Sequence, residues 1–417
     1  MSQGGTNLPR VGGYNQAVVL DAIRTRGPVS RVELGPLTGL TNQTVSNVVR
    51  RLLAAGLVTE SGHAPSSGGK RRTLLTPRAE GAYAAGVHID PEVVRIVLVD
   101  LVGRVLVSTR IRPGAGDPAD LVRRAALTVR RVTARAGVDP ARLLGVGVAT
   151  PGPIDRAEGL VVGPPNLPGW GRVPLSRLFA EATRTPVAMD NDATAAAIGE
   201  RWIGGQDRAG SFLFVYVGTG VGAGIVLGGT VLHGDTGNAG EFGHMAVEAG
   251  ALACYCGATN CLGPYCTPAA LVGDLLDRHG RAAARAVGVS GEPDSVREDF
   301  RRLRLAAGRG DAACADTVRG AARRLGQAAR GAVELLDVGT VVLGGEGLRD
   351  VEDLVVEEVA RVVNARRAGR LTAAPRVRVE RSLTGETVGA VGAASLVLHG
   401  NYAPGWGMLT EAGAVGE

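Results

Sequence analysis

The sequence contains few aromatic residues and no long apolar run. Phe, Trp and Tyr make up 3% of the 417 residues, so the core of a folded protein must be built from Val, Leu, Ile and Ala. No apolar run approaches the roughly 20 residues that a membrane-spanning helix needs. The start MSQGGTNLPR lacks the apolar core of a signal peptide. We therefore expect a globular cytoplasmic protein with no membrane partner.

Lysine is almost absent, since Lys70 is the only one. Residues 1–80 carry ten Lys or Arg and four Asp or Glu, whereas the remainder carries 36 of each sign. The formal net charge of +6 therefore lies wholly in the first fifth of the chain. A basic segment on a neutral body predicts contact with a polyanion, nucleic acid first. A solvated basic surface would have the same charge.

Cysteine is scarce but clustered. Four of the five cysteines lie between Cys254 and Cys266. A disulfide framework is not expected in a reducing cytosol, so grouped thiols indicate a metal site.

Residues 1–80 have the pattern of three helices and a hairpin. Apolar residues recur at helical spacing in residues 15–26, and Ser30 with Glu33 forms a capping box for a short second helix. Thr41 caps a third helix that Gly56 ends. The predicted inward face of this third helix consists of Val45, Val48, Val49, Leu52 and Leu53.

The outward face of the third helix is polar. It carries Asn42, Gln43, Thr44, Ser46, Asn47, Arg50 and Arg51. Short amides and hydroxyls suit base edges, and arginines suit phosphates. Two strand-like stretches, residues 57–61 and 72–77, flank a tip that carries Lys70, Arg71 and Arg72. The whole pattern predicts a winged helix-turn-helix that binds a double-stranded DNA operator, although each polar face alone would also fit plain solvation.

Beyond residue 80, strand-like runs alternate with helical ones, which predicts α/β layers. The pattern begins near residue 85 and again near residue 212, each time with paired β-rich runs. A duplicated α/β unit with a cleft between its halves is the natural interpretation.

Six motifs in this region resemble those of the ROK family, which unites bacterial repressors with sugar kinases. In chain order they are GVGVATPGPID at 145–155, PPNLPGW at 164–170, DNDATAAAIGE at 190–200, GTGVGAGIVLGG at 218–229, GNAGEFGHMAVE at 237–248 and VVLGGEG at 341–347. The resemblance covers residues 15–398 and implies a two-lobed actin-like body. A winged helix-turn-helix before such a body is similar to the regulator branch of the family.

The resemblance and the residue patterns together predict four segments. These are a DNA-binding domain at 1–80, a first lobe at 81–200, a second lobe with a zinc site at 201–398 and a C-terminal tail at 399–417.

His244, Cys254, Cys256 and Cys261 have the spacing H-x9-C-x-C-x4-C. Three thiolates and one imidazole match the fourfold coordination of structural zinc, and the spacing is similar to the zinc motif of the family. A closed set of four ligands predicts a metal that stabilises a loop and performs no catalysis. A cluster of free cysteines is the alternative.

The resemblance also implies a sugar site that consists of Asn166, Asn191, Asp192, Glu241 and His244. Asp192 aligns with the carboxylate that serves family kinases as general base, and Asn191 and Glu241 match hydroxyl-binding positions. Carboxylates and amides can accept from and donate to vicinal hydroxyls in fixed directions. Asp192 or Asp190 would alternatively cap the helix that follows.

Two departures from the family pattern argue against kinase activity. Pro91 and Glu92 stand where family kinases have a glycine-rich phosphate loop, which removes a backbone donor and adds negative charge. Gly263 stands where sugar-binding members usually have a glutamate. The glycines at 218–224 and 344–345 remain, and they fit either a nucleotide or tight strand turns.

The sequence therefore predicts a regulator, in particular a repressor of carbohydrate-related genes, that is not an enzyme. A sugar or sugar derivative would bind between the lobes, and lobe closure would reposition the DNA-binding domains of a homodimer or homotetramer. An ATP-dependent sugar kinase with an appended DNA-binding domain is one alternative. A regulator that has lost sugar binding is the other.

Overall fold

The computed structural model describes residues 8–64, 71–114, 117–247, 252–365 and 375–404. The N-terminal head (residues 8–77) is a winged helix-turn-helix, as predicted. Its elements are α1 (Leu8–Arg26), β1 (Val29–Ser30), α2 (Arg31–Thr38), α3 (Asn42–Ala54), β2 (Val58–His63) and β3 (Thr73–Pro77). The three strands form an antiparallel sheet in the order β1-β3-β2. Lys70 lies outside the described residues.

Local signals in the head act as the sequence indicates. Ser30 and Glu33 form the capping box of α2, and the Thr41 hydroxyl accepts from the Thr44 backbone N–H at the start of α3. The inward face of α3 is buried at Val45, Val48, Val49 and Leu52, while Leu53 is half-buried. Helix α1, however, starts at Leu8 instead of near Asn15.

The body contains two five-stranded sheets with the same strand order. The first sheet consists of β4 (Tyr83–Ile89), β5 (Val94–Asp100), β6 (Val105–Ile111), β7 (Leu143–Thr150) and β11 (Val187–Asn191). The second consists of β12 (Phe212–Val217), β13 (Val221–Leu227), β14 (Thr230–Leu232), β15 (Thr340–Gly344) and β16 (Arg378–Arg381). The orders are β6-β5-β4-β7-β11 and β14-β13-β12-β15-β16. In each sheet the first three strands are antiparallel and the last two are added in parallel, so the predicted duplicated unit is confirmed.

Helices cover the sheets and build the walls of the cleft between them. They are α4 (Pro118–Arg135), α5 (Leu175–Thr183), α6 (Asp192–Ile203), α7 (Pro268–Ala286), α8 (Val296–Gly308), α9 (Ala312–Leu336), α10 (Glu352–Asn364) and α11 (Val388–Tyr402). A small sheet of β8 (Ile154–Asp155), β9 (Leu160–Val162) and β10 (Arg172–Val173) borders the first lobe. None of the helices in the described ranges combines the length and the apolar character needed to cross a membrane.

Two helices connect the lobes. Helix α11, near the end of the chain, packs on β4 and β7 of the first sheet and against α6, and α6 also packs on β12 and β13 of the second sheet. Helix α11 is buried on every side from Val388 to His399. It continues to Tyr402, four residues into the segment predicted as a tail, and residues 405–417 lie outside the described ranges. The division at residues 80, 200 and 398 stays a prediction.

Candidate functional site

A single cavity of about 800 Å³ lies between the lobes and contains every residue predicted to bind the effector. Asn166, Asn191, Asp192, Glu241 and His244 all line it. They come from three separate parts of the chain, so the fold brings them together. Small-molecule sites usually measure roughly 300–1,000 Å³, and this cavity lies within that range.

The end of β11 and the start of α6 place Asn191 and Asp192 in the cavity. Asn191 is the N-cap of α6, and its side-chain oxygen accepts from the Ala193 N–H at 2.9 Å. Asp192 accepts from the same N–H at 2.7 Å. The cap is therefore shared, and the alternative that Asp190 caps the helix is wrong, because Asp190 is buried against Arg156 at 3.2 Å.

Asp192 has an unusual electrostatic environment. Burial raises the pKa of Asp192 to about 7, and the nearby carboxylates of Asp90 and Glu241 also raise it, against the Ala193 hydrogen bond. Burial likewise raises the pKa of Asp90 to about 6. An acceptor with few partners of its own is suited to a ligand hydroxyl, which restores a hydrogen bond without adding charge.

A short 3₁₀-helix, Phe242–His244, places Glu241 and His244 at its two ends. The two rings of His244 and Tyr255 meet edge to face, and His244 Nε2 lies 2.6 Å from the Tyr255 hydroxyl and 3.9 Å from Glu241 Oε2. Nε2 therefore faces the polar wall of the cavity. The other nitrogen, Nδ1, faces the cysteines.

The predicted metal ligands lie together. His244 Nδ1 is 3.6 Å from Cys254 Sγ and 3.8 Å from Cys261 Sγ, and Cys256 Sγ is 3.6 Å from Cys261 Sγ. All four ligand atoms lie within 4.8 Å of one another. A tetrahedral zinc with bonds of about 2.0–2.3 Å separates its ligands by about 3.5–3.8 Å. The donor set and the spacing fit zinc, whereas Cys266 and Cys314 are buried elsewhere in the core.

The polar face of α3 is open in the structure. Asn42, Gln43, Arg50 and Arg51 are exposed, and Thr44, Ser46 and Asn47 are partly exposed. Arg50 donates to Asn47 Oδ1 at 3.2 Å. Arg71 and Arg72 are exposed just before β3, at the tip end of the hairpin, where the Arg72 carbonyl accepts from the Ala64 N–H. The described part of the predicted DNA-binding set therefore lies on the surface of the head.

Changing both Arg50 and Arg71 to alanine is expected to weaken duplex binding and flatten its salt dependence. Each lost phosphate contact removes roughly one unit from the slope of log affinity against log salt, so the slope should fall by about two. Fluorescence anisotropy with a labelled duplex at several salt concentrations measures this slope. Changing Arg123 and Arg177, exposed arginines of the body, gives a control with the same net charge. An unchanged slope in the Arg50 and Arg71 variant would contradict the assignment.

The sequence pattern did not predict a contact between the head and the end of α6. Asp21 of α1 pairs with Arg201 at 3.0 Å, and the Arg24 guanidinium lies 4.4 Å from the centre of the Trp202 ring. Arg24 also donates to the backbone carbonyl of Trp202. Burial alone would raise the pKa of Asp21, but the charges of Arg24 and Arg201 outweigh it and lower that pKa. Asp21 is therefore ionised at neutral pH, and the contact weakens only as the pH falls through the lowered pKa.

Comparisons with known proteins agree with this geometry. Residues 84–399 match the model of the ROK family, and residues 8–72 match that of the MarR family. The xylose repressor of Caldicellulosiruptor bescii is 28% identical over 354 residues, which cover 84% of this chain and 88% of that protein.

The solved structures that match this chain include a transcriptional regulator and a sugar kinase. A ROK family transcriptional regulator, described as a homologue of the Escherichia coli MLC protein, matches with a TM-score of 0.72 and 23% identity over 94% of this chain and 97% of its own. A ROK family glucokinase from Streptomyces griseus, solved with glucose and AMPPNP, matches with a TM-score of 0.64 and 28% identity. That match covers 99% of the glucokinase but 76% of this chain. With a family match over most of its length, the chain belongs to the ROK family.

Proposed function

We propose that this protein is a DNA-binding repressor of carbohydrate-related genes that responds to a sugar or sugar derivative in the interlobe cavity. The observation that carries the proposal is the position of α6. Its N-terminus, with the N-cap Asn191 and Asp192, lies in the cavity. Near its C-terminus, Arg201 and Trp202 contact α1 of the head.

Helix α6 connects the proposed sugar site to the DNA-binding domain. Its 12 residues span about 18 Å at 1.5 Å per residue. A ligand that binds Asp192 and Glu241 joins a residue of α6 to the loop after β14 of the second sheet, which favours one arrangement of the lobes. Because α6 also contacts α1, a change in lobe arrangement moves the base of the head, and a ligand with different affinity for the two arrangements shifts DNA binding.

The head supports the DNA-binding part of the proposal. Its basic wing and polar α3 face are the surfaces of a winged helix-turn-helix that contacts phosphates and base edges. Two heads in a homodimer, or pairs of heads in a homotetramer, would read two half-sites of a double-stranded operator. The relatives named as repressors support the same role.

The structure around Pro91 and Glu92 favours a regulator over an ATP-dependent kinase. The Glu92 backbone N–H donates to Asp90 Oδ1 at 2.8 Å, and the Glu92 carboxylate pairs with Arg297 at 3.0 Å. Arg95, the nearest cation on β5, pairs with Glu346 and lies 3.4 Å from Glu386. Donors that a phosphate would need are thus directed at carboxylates of the protein itself.

We further propose that His244, Cys254, Cys256 and Cys261 hold a structural zinc ion. When bound, zinc would fix four ligands in a closed tetrahedral set and supply no open position for catalysis. Coordination through Nδ1 would leave the proton of His244 on Nε2, which would then donate to the Tyr255 hydroxyl at the cavity wall. Zinc would in this way fix the orientation of His244 at the cavity wall while it stabilises the loop.

The test begins with a duplex obtained by selection from a random library, so that no operator needs to be known. Affinity for that duplex is measured with and without a panel of pentoses, hexoses and amino sugars. At least one sugar should change DNA affinity fivefold or more, within the usual range of about 5–150-fold for allosteric coupling. Asp192→Ala should abolish this response, whereas Asp353→Ala, an exposed carboxylate outside the cavity, should retain it.

ATP consumption with the same sugars checks the regulator interpretation. We expect none, because the phosphate loop is replaced. Sugar-dependent turnover that Asp192→Ala removes would contradict the proposal and support the kinase alternative. A sugar response that survives Asp192→Ala would place the effector outside this cavity.

A further inference from the structure

The cavity extends well beyond the residues that would hold a sugar ring. Asn166, Asn191, Asp192, Glu241 and His244 occupy one end, and the cavity continues past Gly243 and Gly263 to α7 and α9. The backbones of the two glycines pack against each other, since a Cβ atom on Gly263 would lie 3.2 Å from the Gly243 carbonyl oxygen, and together they form part of the cavity wall. Neither residue has a side chain that would narrow the cavity at this point. We call the far end the second subsite.

Two helices present matching faces to the second subsite. Ala270, Asp274 and Asp277 line it from α7, and Thr317, Ala321 and Arg324 line it from α9. Both sets have the i, i+4, i+7 spacing of one helix face. Alanine near the middle of the α9 face leaves room, and the polar residues on either side of it point to a polar occupant.

Three buried polar atoms of the second subsite have no hydrogen-bond partner among the described residues. They are the Thr317 hydroxyl, the Tyr265 hydroxyl and Arg324 Nε. Thr317 is only 1% exposed. An unpaired buried polar group costs about 1–3 kcal/mol. Because these three atoms have almost no accessible surface, small side-chain rotations are needed to bring them to the polar atoms of a ligand, and forming those hydrogen bonds would recover the cost.

The charges of the second subsite favour a neutral ligand. Asp274 pairs with Arg278 at 2.9 Å, which leaves one carboxylate, Asp277, against one guanidinium, Arg324. Arg324 in turn lies over the Tyr265 ring, 4.7 Å from its centre. Hydroxyls, a carboxylate, a guanidinium and an aromatic ring are the groups that bind a polyhydroxylated ring. A phosphate would face Asp277 without a surplus of positive charge.

We infer that the effector is a disaccharide or longer oligosaccharide, with one ring on the Asp192 side and the next ring in the second subsite. This inference rests on the proposed function. It adds the size class of the effector and a second set of binding residues, Tyr265, Asp277, Thr317 and Arg324. The glycosidic linkage would lie along the wall that Gly243 and Gly263 form, where no side chain narrows the cavity.

The test compares three matched pairs of sugars by isothermal titration calorimetry on the full-length protein: xylose with xylobiose, glucose with cellobiose, and N-acetylglucosamine with diacetylchitobiose. In at least one pair the disaccharide should have a dissociation constant at least tenfold lower than that of its monosaccharide. Thr317→Val removes the unpaired hydroxyl at nearly constant volume, and Ala321→Phe fills the second subsite. Both should bring the ratio of the two dissociation constants toward one.

Two further measurements exclude a merely structural effect. Thr317→Val should hold or raise the melting temperature of the sugar-free protein, because it removes an unsatisfied buried hydroxyl while it weakens disaccharide binding. Thr128→Val on α4, where the hydroxyl donates to the Arg124 carbonyl at 2.8 Å, is the matched control and should keep the wild-type ratio.

The outcomes separate this inference from the proposed function. If a monosaccharide binds and changes DNA affinity, but no disaccharide is preferred or Ala321→Phe leaves the ratio unchanged, the inference is wrong and the proposed function stands. If no sugar of the panel binds, the proposed function fails and the inference fails with it.

Discussion

Replacing Cys256 with serine is expected to lower the melting temperature by roughly 10 °C and to remove the bound metal. Cys256 is exposed, and exposed substitutions usually change stability by no more than about 0.5 kcal/mol. Loss of a structural metal instead belongs to the small class of changes that lower the free energy of unfolding by about 4 kcal/mol or more. In a domain of about 150–250 residues, each kcal/mol lowers the melting temperature by about 2–4 °C. A large effect from an exposed position would therefore report the metal and not lost packing.

Metal analysis and calorimetry on the same samples measure both effects. Wild-type protein purified without chelator should contain about one zinc per chain. Cys266→Ala is the control, because Cys266 is a buried thiol that is not one of the four ligands. That variant should keep its zinc. Metal-free wild-type protein, or a Cys256→Ser variant as stable as the wild type, would remove the zinc assignment.

Replacing Asp21 with asparagine should uncouple the sugar from DNA. Asp21 lies on α1 and its partner Arg201 lies at the end of α6, so their 3.0 Å ion pair joins the head to the helix that begins in the cavity. Without it, a sugar that changes wild-type DNA affinity tenfold should change that of the variant by less than threefold. Sugar affinity measured without DNA should stay within the wild-type range, because the variant leaves the cavity intact.

Glu60→Gln is the matched control for this prediction. Glu60 pairs with Arg31 at 3.1 Å within the head, so the variant has the same charge change but no change in the contact with the body. Asp21→Asn also leaves Arg24 and Arg201 buried without their carboxylate, which can cost about 3–5 kcal/mol. Asp21→Leu combined with Arg24→Met and Arg201→Met replaces all three buried charges with apolar side chains and keeps the head folded. Full coupling in both variants would show that α6 does not carry the signal.

The sequence predicted best what short-range chemistry determines. The capping box of Ser30 and Glu33, the Thr41 cap and the buried stripe of α3 all depend on residues a few positions apart. The start of α1 was missed because Pro9, Gly12 and Gly13 have low helix propensity, whereas the helix in the structure begins at Leu8. Helix α11 is buried on all sides, so it has no amphipathic period for a sequence pattern to detect.

The candidate sites divide in the same way. The metal ligands and most of the hydroxyl-binding residues lie in contiguous motifs. The structure brings the hydroxyl-binding residues to one cavity and groups the metal ligands beside it. The second subsite draws Tyr265, Asp277, Thr317 and Arg324 from three elements, and none of them belongs to a motif. Asp21 and Arg201 are 180 residues apart, and a single sequence contains no signal that pairs them.

The packing of α11 has a consequence for how the protein is made. The first sheet is synthesised by residue 191, but a wall of its core is α11, which ends at Tyr402. Protein domains usually fold from the N-terminus as they leave the ribosome. Here the first lobe cannot complete its core, and the head cannot gain its contacts with α11, until nearly the whole chain has emerged. We therefore expect nascent chains to hold an exposed apolar sheet that chaperones can bind, and a docked DNA-binding head to form only on completed molecules.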